Sequence, residues 1–181
     1  LLRRQMLRSY RKPLVVMTPK SLLRLPAAMS PMDDLISGSF KCVIDDASVK
    51  PNAVKRVLLC SGKSYYDLCD MREKHGVKNV VIVRIEQLYP FPYDDLKVIL
   101  KRYASVETVV WCQEEPKNQG AWYMKRHCFV ACLSGKQRLS YAGRARFASP
   151  ACGYPALHQK QQVLWLTQAL GLAPLVEEDH E

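Results

Sequence analysis

Apolar positions recur along this chain in a regular order from about residue 53 onward. Arg56–Cys60 (RVLLC), Val80–Ile85 (VVIVRI) and Thr108–Cys112 (TVVWC) carry apolar residues at consecutive positions, not alternate ones. That is the mark of a strand covered on both faces. Between them lie helical patterns. A helix from Ser64 to about His75 presents Tyr65, Leu68, Cys69 and the stem of Arg72 inward, and Gly76 stops it. After Pro90-Phe91-Pro92, Leu96, Ile99, Leu100 and Tyr103 fall at i, i+3, i+4 and i+7. Pro92 is tolerated in the first turn, where its missing N–H would have no partner. Gln113–Gly120 reads as a polar loop, Ala121–Cys132 as a helix and Arg138–Ala142 as an edge strand. Ala156–Leu170 reads as a last helix with Leu157, Leu164 and Leu170 inward.

Strand and helix alternating over short connections predict an α/β fold: a three-layer domain with a mostly parallel sheet, helices on both faces and an antiparallel edge strand. The first fifty residues follow no such rhythm. Leu1–Leu7 reads as the end of a helix, Pro13–Met17 (PLVVM) as a short buried strand and Ser21–Arg24 as one helical turn. Pro26, Pro31, Gly38 and Pro51 break the stretch that follows, where a short strand is expected within Phe40–Ile44. The chain thus divides into a leading piece (1–30), a connecting segment (31–52), the α/β domain (53–173) and a tail (174–181). It opens on Leu1, not Met, which reads as a cut within a larger protein.

Composition changes this picture little: 48% apolar and 24% charged residues over 181 positions are ordinary for a globular chain. No apolar run reaches the roughly 18 residues that cross a bilayer, so no membrane partner is expected. The net charge of +10 favours anionic partners. Nucleic acid is not among those expected, because the aromatic residues fall at core positions and not among exposed cations. Seven cysteines without framework spacing point to reduced thiols. Cys60, Cys69 and Cys112 read as small core residues.

Candidate chemistry is sparse. Gly62-Lys63-Ser64 ends like a phosphate-binding loop, but Val57 stands where that loop needs its first glycine. What remains is Ser61-Gly62-Lys63 at a helix N-terminus, where N–H groups favour an anion; a plain turn with a solvated lysine is the competing reading. Arg24, Lys63, Arg144 and Arg146 could converge on a phosphate. Glu114 and Glu115 are adjacent, and adjacent side chains diverge, so capping or a subunit contact suits them better than acid–base work. His127, Cys128 and Cys132 have core spacing and lack a fourth ligand, so no metal site is assigned. His158 reads as a capping or surface contact.

Several segments stand in one order: Leu2-Arg3-Arg4-Gln5, Arg11-Lys12-Pro13-Leu14-Val15-Val16, Thr18-Pro19-Lys20-Ser21-Leu22-Leu23-Arg24, Ser61-Gly62-Lys63, Arg84-Ile85-Glu86-Gln87-Leu88, Pro90-Phe91-Pro92, Gln113-Glu114-Glu115-Pro116, Asn118-Gln119-Gly120-Ala121-Trp122 and Tyr141-Ala142-Gly143-Arg144. Together they resemble the C-terminal part of the 2-oxoglutarate dehydrogenase decarboxylating subunit, from Leu1 to about Leu170. The resemblance implies a transketolase C-terminal-like fold, with residues 1–30 ending a pyrimidine-binding domain. It implies a parent homodimer that uses thiamine diphosphate and Mg²⁺ in the tricarboxylic acid cycle. That parent decarboxylates 2-oxoglutarate and hands the succinyl group to the lipoyl arms of a dihydrolipoyl succinyltransferase. This piece would serve dimerisation and scaffolding. The family's catalytic histidines and cofactor ligands match no position here, so no catalytic or cofactor-binding residue is assigned. The Gly-Asp-Gly that commonly holds Mg²⁺ against the diphosphate is absent from the sequence. Some members bind AMP or acetyl-CoA as effectors, which makes Arg24, Ser61, Lys63 and Arg144 the candidate effector contacts. The alternative is a stand-alone regulatory module for an adenine nucleotide or coenzyme A. The expected location is the bacterial cytoplasm, with the mitochondrial matrix as the alternative.

Overall fold

A computed structural model describes residues 1–175. They form two units, Leu1–Lys41 and a second from Cys42 onward.

The second unit is built on a five-stranded sheet: β1 (Val43–Ile44), β2 (Arg56–Cys60), β3 (Val80–Ile85), β4 (Thr108–Pro116) and β5 (Arg138–Arg144). Their order is β1-β3-β2-β4-β5. The four longer strands are parallel, and β1 runs antiparallel to β3 at one edge, pairing Val43 with Ile85. The apolar runs are consecutive because each strand face meets its own helices. Val57, Leu59, Val81, Val83, Val109 and Trp111 pack with α4 (Tyr93–Arg102) and α5 (Trp122–Val130). Leu58, Cys60, Val80, Ile82, Val110 and Cys112 pack with α3 (Ser64–Lys74) and α6 (Pro155–Leu170). Each such side chain, fully removed from water, contributes about 1.5–3 kcal/mol.

Polar ties fix the sheet's ends. Past β1, Asp46 accepts hydrogen bonds from Arg72 of α3 and from the Ile82 amide, while Asp45 accepts from Tyr103 Oη and Arg102, each at 2.9 Å. The two acids therefore hold the edge strand to helices on opposite faces. Arg56, opening β2, donates to the carbonyls of Gln168 and Ala169 at 3.0 and 3.1 Å, satisfying the last turn of α6. Gly171 then ends that helix at φ 77°, a left-handed conformation glycine adopts without penalty.

Three sequence expectations differ here. Gln113–Pro116 is strand and not loop: β5 offers a partner past Cys112, and the ladder resumes at Pro116–Arg144 after an irregularity. In α6 the inward residues are Trp165, Leu166, Ala169 and Leu170, whereas Leu157 and Leu164 are 44% and 50% exposed. Cys69 is only partly buried, although Cys60 and Cys112 are sealed in.

The first unit holds α1 (Leu2–Met6), two 3₁₀ turns (Lys20–Arg24 and Pro26–Ala28) and α2 (Met32–Ile36). No residue from 1 to 41 is buried. Pro13–Met17, expected as a buried strand, is irregular here, with Met17 91% exposed. Among the described residues no strand pairs with it, so no ladder forms and its side chains stay largely exposed. Of the expected tail, residues 176–181 lie outside the described residues.

Candidate functional site

Parallel strands bring their carboxyl ends to one edge, where the connections to the helices gather polar groups. Ser61-Gly62-Lys63 follows β2, and Gly62 takes φ 61° to turn the chain into α3. Arg84, near the end of β3, and Glu86, just past it, are joined by a 3.1 Å ion pair, and the Arg84 guanidinium lies 4.4 Å from the Tyr65 ring centre. Arg144 ends β5.

A continuous polar network crosses this edge. Lys63 is paired with Asp67 in the first turn of α3 and lies 3.8 Å from Glu114 of β4. The Asp67 carboxylate also accepts from Gln162 Nε2 of α6 at 3.0 Å. Gln162 Oε1 accepts from Arg144 Nη2 at 2.9 Å and from Trp165 Nε1 at 3.0 Å. With two donors on its oxygen and a carboxylate on its nitrogen, the Gln162 amide has a single sensible orientation. Arg144 also lies against His158, with Nη1 3.0 Å from Nδ1 and Nη2 3.1 Å from Nε2. A guanidinium only donates, so it hydrogen-bonds whichever ring nitrogen lacks a proton.

Two supports set the backbone under Arg144. Tyr141 Oη donates to the Arg144 carbonyl at 3.2 Å, and burial pushes the Tyr141 phenol well above its ordinary value. Its ring folds over Gly143, where a Cβ would stand 2.2 Å from Tyr141 Oη, so any side chain here would force the Tyr141 ring aside. Gln113 organises the β4 end. It is 3% exposed; its Oε1 accepts from Trp111 Nε1 at 2.9 Å and the Trp122 amide at 3.1 Å, and its Nε2 donates to the carbonyls of Gln119 and Pro116 at 2.7 and 3.1 Å.

The structure thus joins Lys63 to Arg144 through Asp67 and Gln162, with Ser61 beside Lys63. Arg24 lies exposed in the 3₁₀ turn of the other unit. Neither cation of the joined pair is bare: Lys63 faces two carboxylates, and Arg144 is 5% exposed with both terminal nitrogens engaged. His158 packs on Arg144 and does not cap α6. Glu114 serves Lys63. Sequence reasoning missed Gln113 and Gln162. Gln113 left one signal, continuing an apolar strand run into a buried position, where an amide must find partners.

Among the described residues no three His, Cys, Asp or Glu side chains gather as metal ligands. The Cys128 thiol instead accepts from Tyr93 Oη at 3.0 Å, and the Cys132 thiol, which burial pushes up to about 11, donates to the Tyr93 carbonyl at 3.7 Å. No described helix is long and apolar enough to cross a membrane.

Comparison with known proteins gives a family match. Residues 29–170 match the model of the 2-oxoglutarate dehydrogenase C-terminal family. The chain is 53% identical over 173 residues to the 2-oxoglutarate dehydrogenase E1 component of Coxiella burnetii, covering 94% of this chain and 18% of that protein. It is 53% identical over 171 residues to the Haemophilus influenzae protein of the same name, with the same coverage. It is 47% identical over 176 residues to that of Rickettsia prowazekii, covering 94% and 19%. The chain thus spans under one fifth of the length of these relatives.

Proposed function

Because the chain belongs to the 2-oxoglutarate dehydrogenase C-terminal family, we propose that it acts as the carboxyl-terminal domain of a decarboxylating subunit that oxidatively decarboxylates 2-oxoglutarate. In that subunit residues 53–173 form a scaffold and part of a homodimer surface, residues 1–30 complete a preceding domain, and the succinyl group passes to the lipoyl arms of a succinyltransferase. The relatives named are bacterial, and a bacterial cytoplasm goes with this proposal. The observation that carries it is half-identity to E1 components along almost the whole chain.

Thiamine diphosphate with Mg²⁺ would supply the carbanion chemistry of the parent subunit. The residues of this chain do not fit that group: the sequence has no Gly-Asp-Gly, and the described residues offer no cluster of metal-ligating side chains. The chain's contribution is rigidity, with two helical layers and an edge held by the Gln113 and Gln162 amides. The test is a chimera in which this chain replaces the matching segment of the Haemophilus influenzae relative. Decarboxylation of 2-oxoglutarate, followed with an artificial electron acceptor, is expected to persist. A folded dimeric chimera with no activity overturns the proposal.

We further propose that AMP or acetyl-CoA, as an effector, is met by Ser61, Lys63 and Arg144. The Lys63–Asp67–Gln162–Arg144 chain supports this, since a phosphate arriving at Lys63 would compete with Asp67 and be felt at Arg144. Calorimetry of the chimera with AMP and with acetyl-CoA is expected to give heat that Lys63→Ala abolishes. Absence of heat with both ligands removes the effector from the proposal and leaves the scaffold role standing.

A further inference from the structure

The two edges of the sheet are made differently. β1 is two residues long, and the acids that follow it are tied back to Arg72 and Arg102. β5 runs for seven residues, contains no proline and pairs with β4 on one side only. A long unpaired edge is a template for another strand, and proteins usually blunt it. The direction of its free groups follows from the ladder. The Arg138 amide donates to the Glu107 carbonyl at 2.8 Å, and the Arg144 carbonyl accepts from the Lys117 amide at 3.0 Å, so the even-numbered residues of β5 turn their backbone toward β4. Alternate residues of a strand point opposite ways. Leu139, Tyr141 and Gly143 therefore turn their N–H and C=O groups outward. All three are partly exposed, with no backbone partner on that side among the described residues.

Charge is placed just as unevenly. From Cys42 to Glu115 the sequence carries eleven Lys and Arg against eleven Asp and Glu; from Pro116 to Leu175 it carries eight against none. The stretch that builds α5, β5 and α6 is therefore uniformly basic. Beside the β5 edge stand Lys136 and Arg138, both exposed, and Lys117, whose ammonium lies 5.8 Å from the Tyr141 ring centre. None of these three has an acidic partner among the described residues. Arg138 shares a face of the strand with Ala142, and Tyr141 belongs to the other, so cations would flank an added strand on both faces.

We propose that the outer edge of β5 receives an extended acidic segment of a partner protein, added as a sixth strand to the five-stranded sheet. Leu139, Tyr141 and Gly143 supply the main-chain hydrogen bonds, and Lys117, Lys136 and Arg138 select aspartate and glutamate side chains. Nucleic acid or a lipid headgroup answers the charge but has no alternating N–H and C=O groups for the ladder. A second copy of β5 answers the ladder but not the charge. Antiparallel pairing centred on Tyr141 sets Arg138 against Arg144 of the other copy, and like charges directly opposite destabilise. This docking depends on the folded α/β unit and not on the catalytic role proposed above.

The test uses the full 181-residue chain and a short fluorescein-labelled peptide of alternating valine and glutamate. Saturable binding is expected by fluorescence anisotropy, and none is expected for the counterpart with lysine in place of glutamate. Amide exchange followed by NMR is expected to slow at Leu139, Tyr141 and Gly143 on binding. Ser140 and Ala142, already turned to β4, are expected to exchange slowly throughout. Arg138→Glu is expected to weaken binding about fivefold, and added salt to weaken it further. The same peptide methylated at every backbone nitrogen keeps its charge and loses its donors. Equal binding by that peptide, or binding that leaves exchange at the three amides unchanged, overturns the proposal. Slow exchange at the three amides before any peptide is added also overturns it, because the edge is then already filled. The occupant is the chain's own acidic end if Glu177→Gln with Glu178→Gln restores fast exchange, and a second copy if dilution does.

Discussion

Val57, Leu58, Leu59 and Cys60 are sealed from solvent, while Val15 and Met17, in a five-residue run of similar apolar character, stand 78% and 91% exposed. The first run has β3 and β4 as hydrogen-bonded neighbours and helices over both faces. The second has no strand partner among the described residues and only partial cover. An apolar run states a demand for burial; whether the demand is met depends on neighbours that the run does not encode. The first unit is the part of this chain where demand and supply do not match.

The comparison breaks most directly at the centre of β2. Leu58→Ala removes a fully buried side chain from the α3–α6 face and is expected to cost about 3 kcal/mol, read as a fall in the urea midpoint. A loss below about 1 kcal/mol would mean that the β2 core is no better packed than the first unit.

Next in size comes the buried amide at the β4 end. Gln113→Leu is near in volume but leaves the Trp111 indole N–H, the Trp122 amide and the carbonyls of Glu115, Pro116 and Gln119 without this partner. The expected cost is about 2 kcal/mol, with faster proteolysis between Pro116 and Gly120. Unchanged stability would mean that water replaces the amide.

These two residues also mark how far the sequence could be read. Leu58 was legible because a two-sided strand leaves consecutive apolar letters, and three such runs with helical patterns between them define the parallel sheet. Gln113 and Gln162 were not: Gln113 meets Trp111, Pro116, Gln119 and Trp122 only once the chain has turned at the end of β4, and Gln162 meets Arg144 and Asp67 across 18 and 95 residues. The inward face of α6 was misjudged because Leu157, Val163, Leu164, Trp165 and Leu166 leave no polar side from which to infer orientation. Lys63 and Arg144 were visible as cations, but their connection through Gln162 appears only once β5 and α6 are folded together.

A smaller effect comes from the edge strand. Burial alone would push the Asp46 carboxyl up, but the Ser48 hydrogen bonds and the Arg72 guanidinium outweigh it and hold it below its ordinary 3.8. A carboxyl lowered in the folded state stabilises above its unfolded pKa, and that contribution is lost as pH falls through the folded value. The urea midpoint is expected to drop between about pH 5 and pH 3, and Asp46→Asn to flatten that part of the slope while lowering stability at neutral pH. A variant with the same acid slope as the parent would remove Asp46 as its source.

The smallest effect sharpens the comparison most. Val15→Ala in this chain is expected to change stability by less than about 0.5 kcal/mol, since an exposed side chain loses no packing. The chimera carrying the remaining four fifths of the relative supplies the strands that the proposal assigns to the preceding domain. There the same substitution is expected to cost about 1–2.5 kcal/mol, the range of a large-to-small change at a buried β-branched position. A small effect in both settings would mean that Pro13–Met17 is surface wherever it stands, and residues 1–30 would then not complete a neighbouring domain. A large effect in the isolated chain would mean that the run is packed without any added strand. Only the pairing of a negligible effect with a core-sized one fits a segment whose apolar character answers to residues outside this chain.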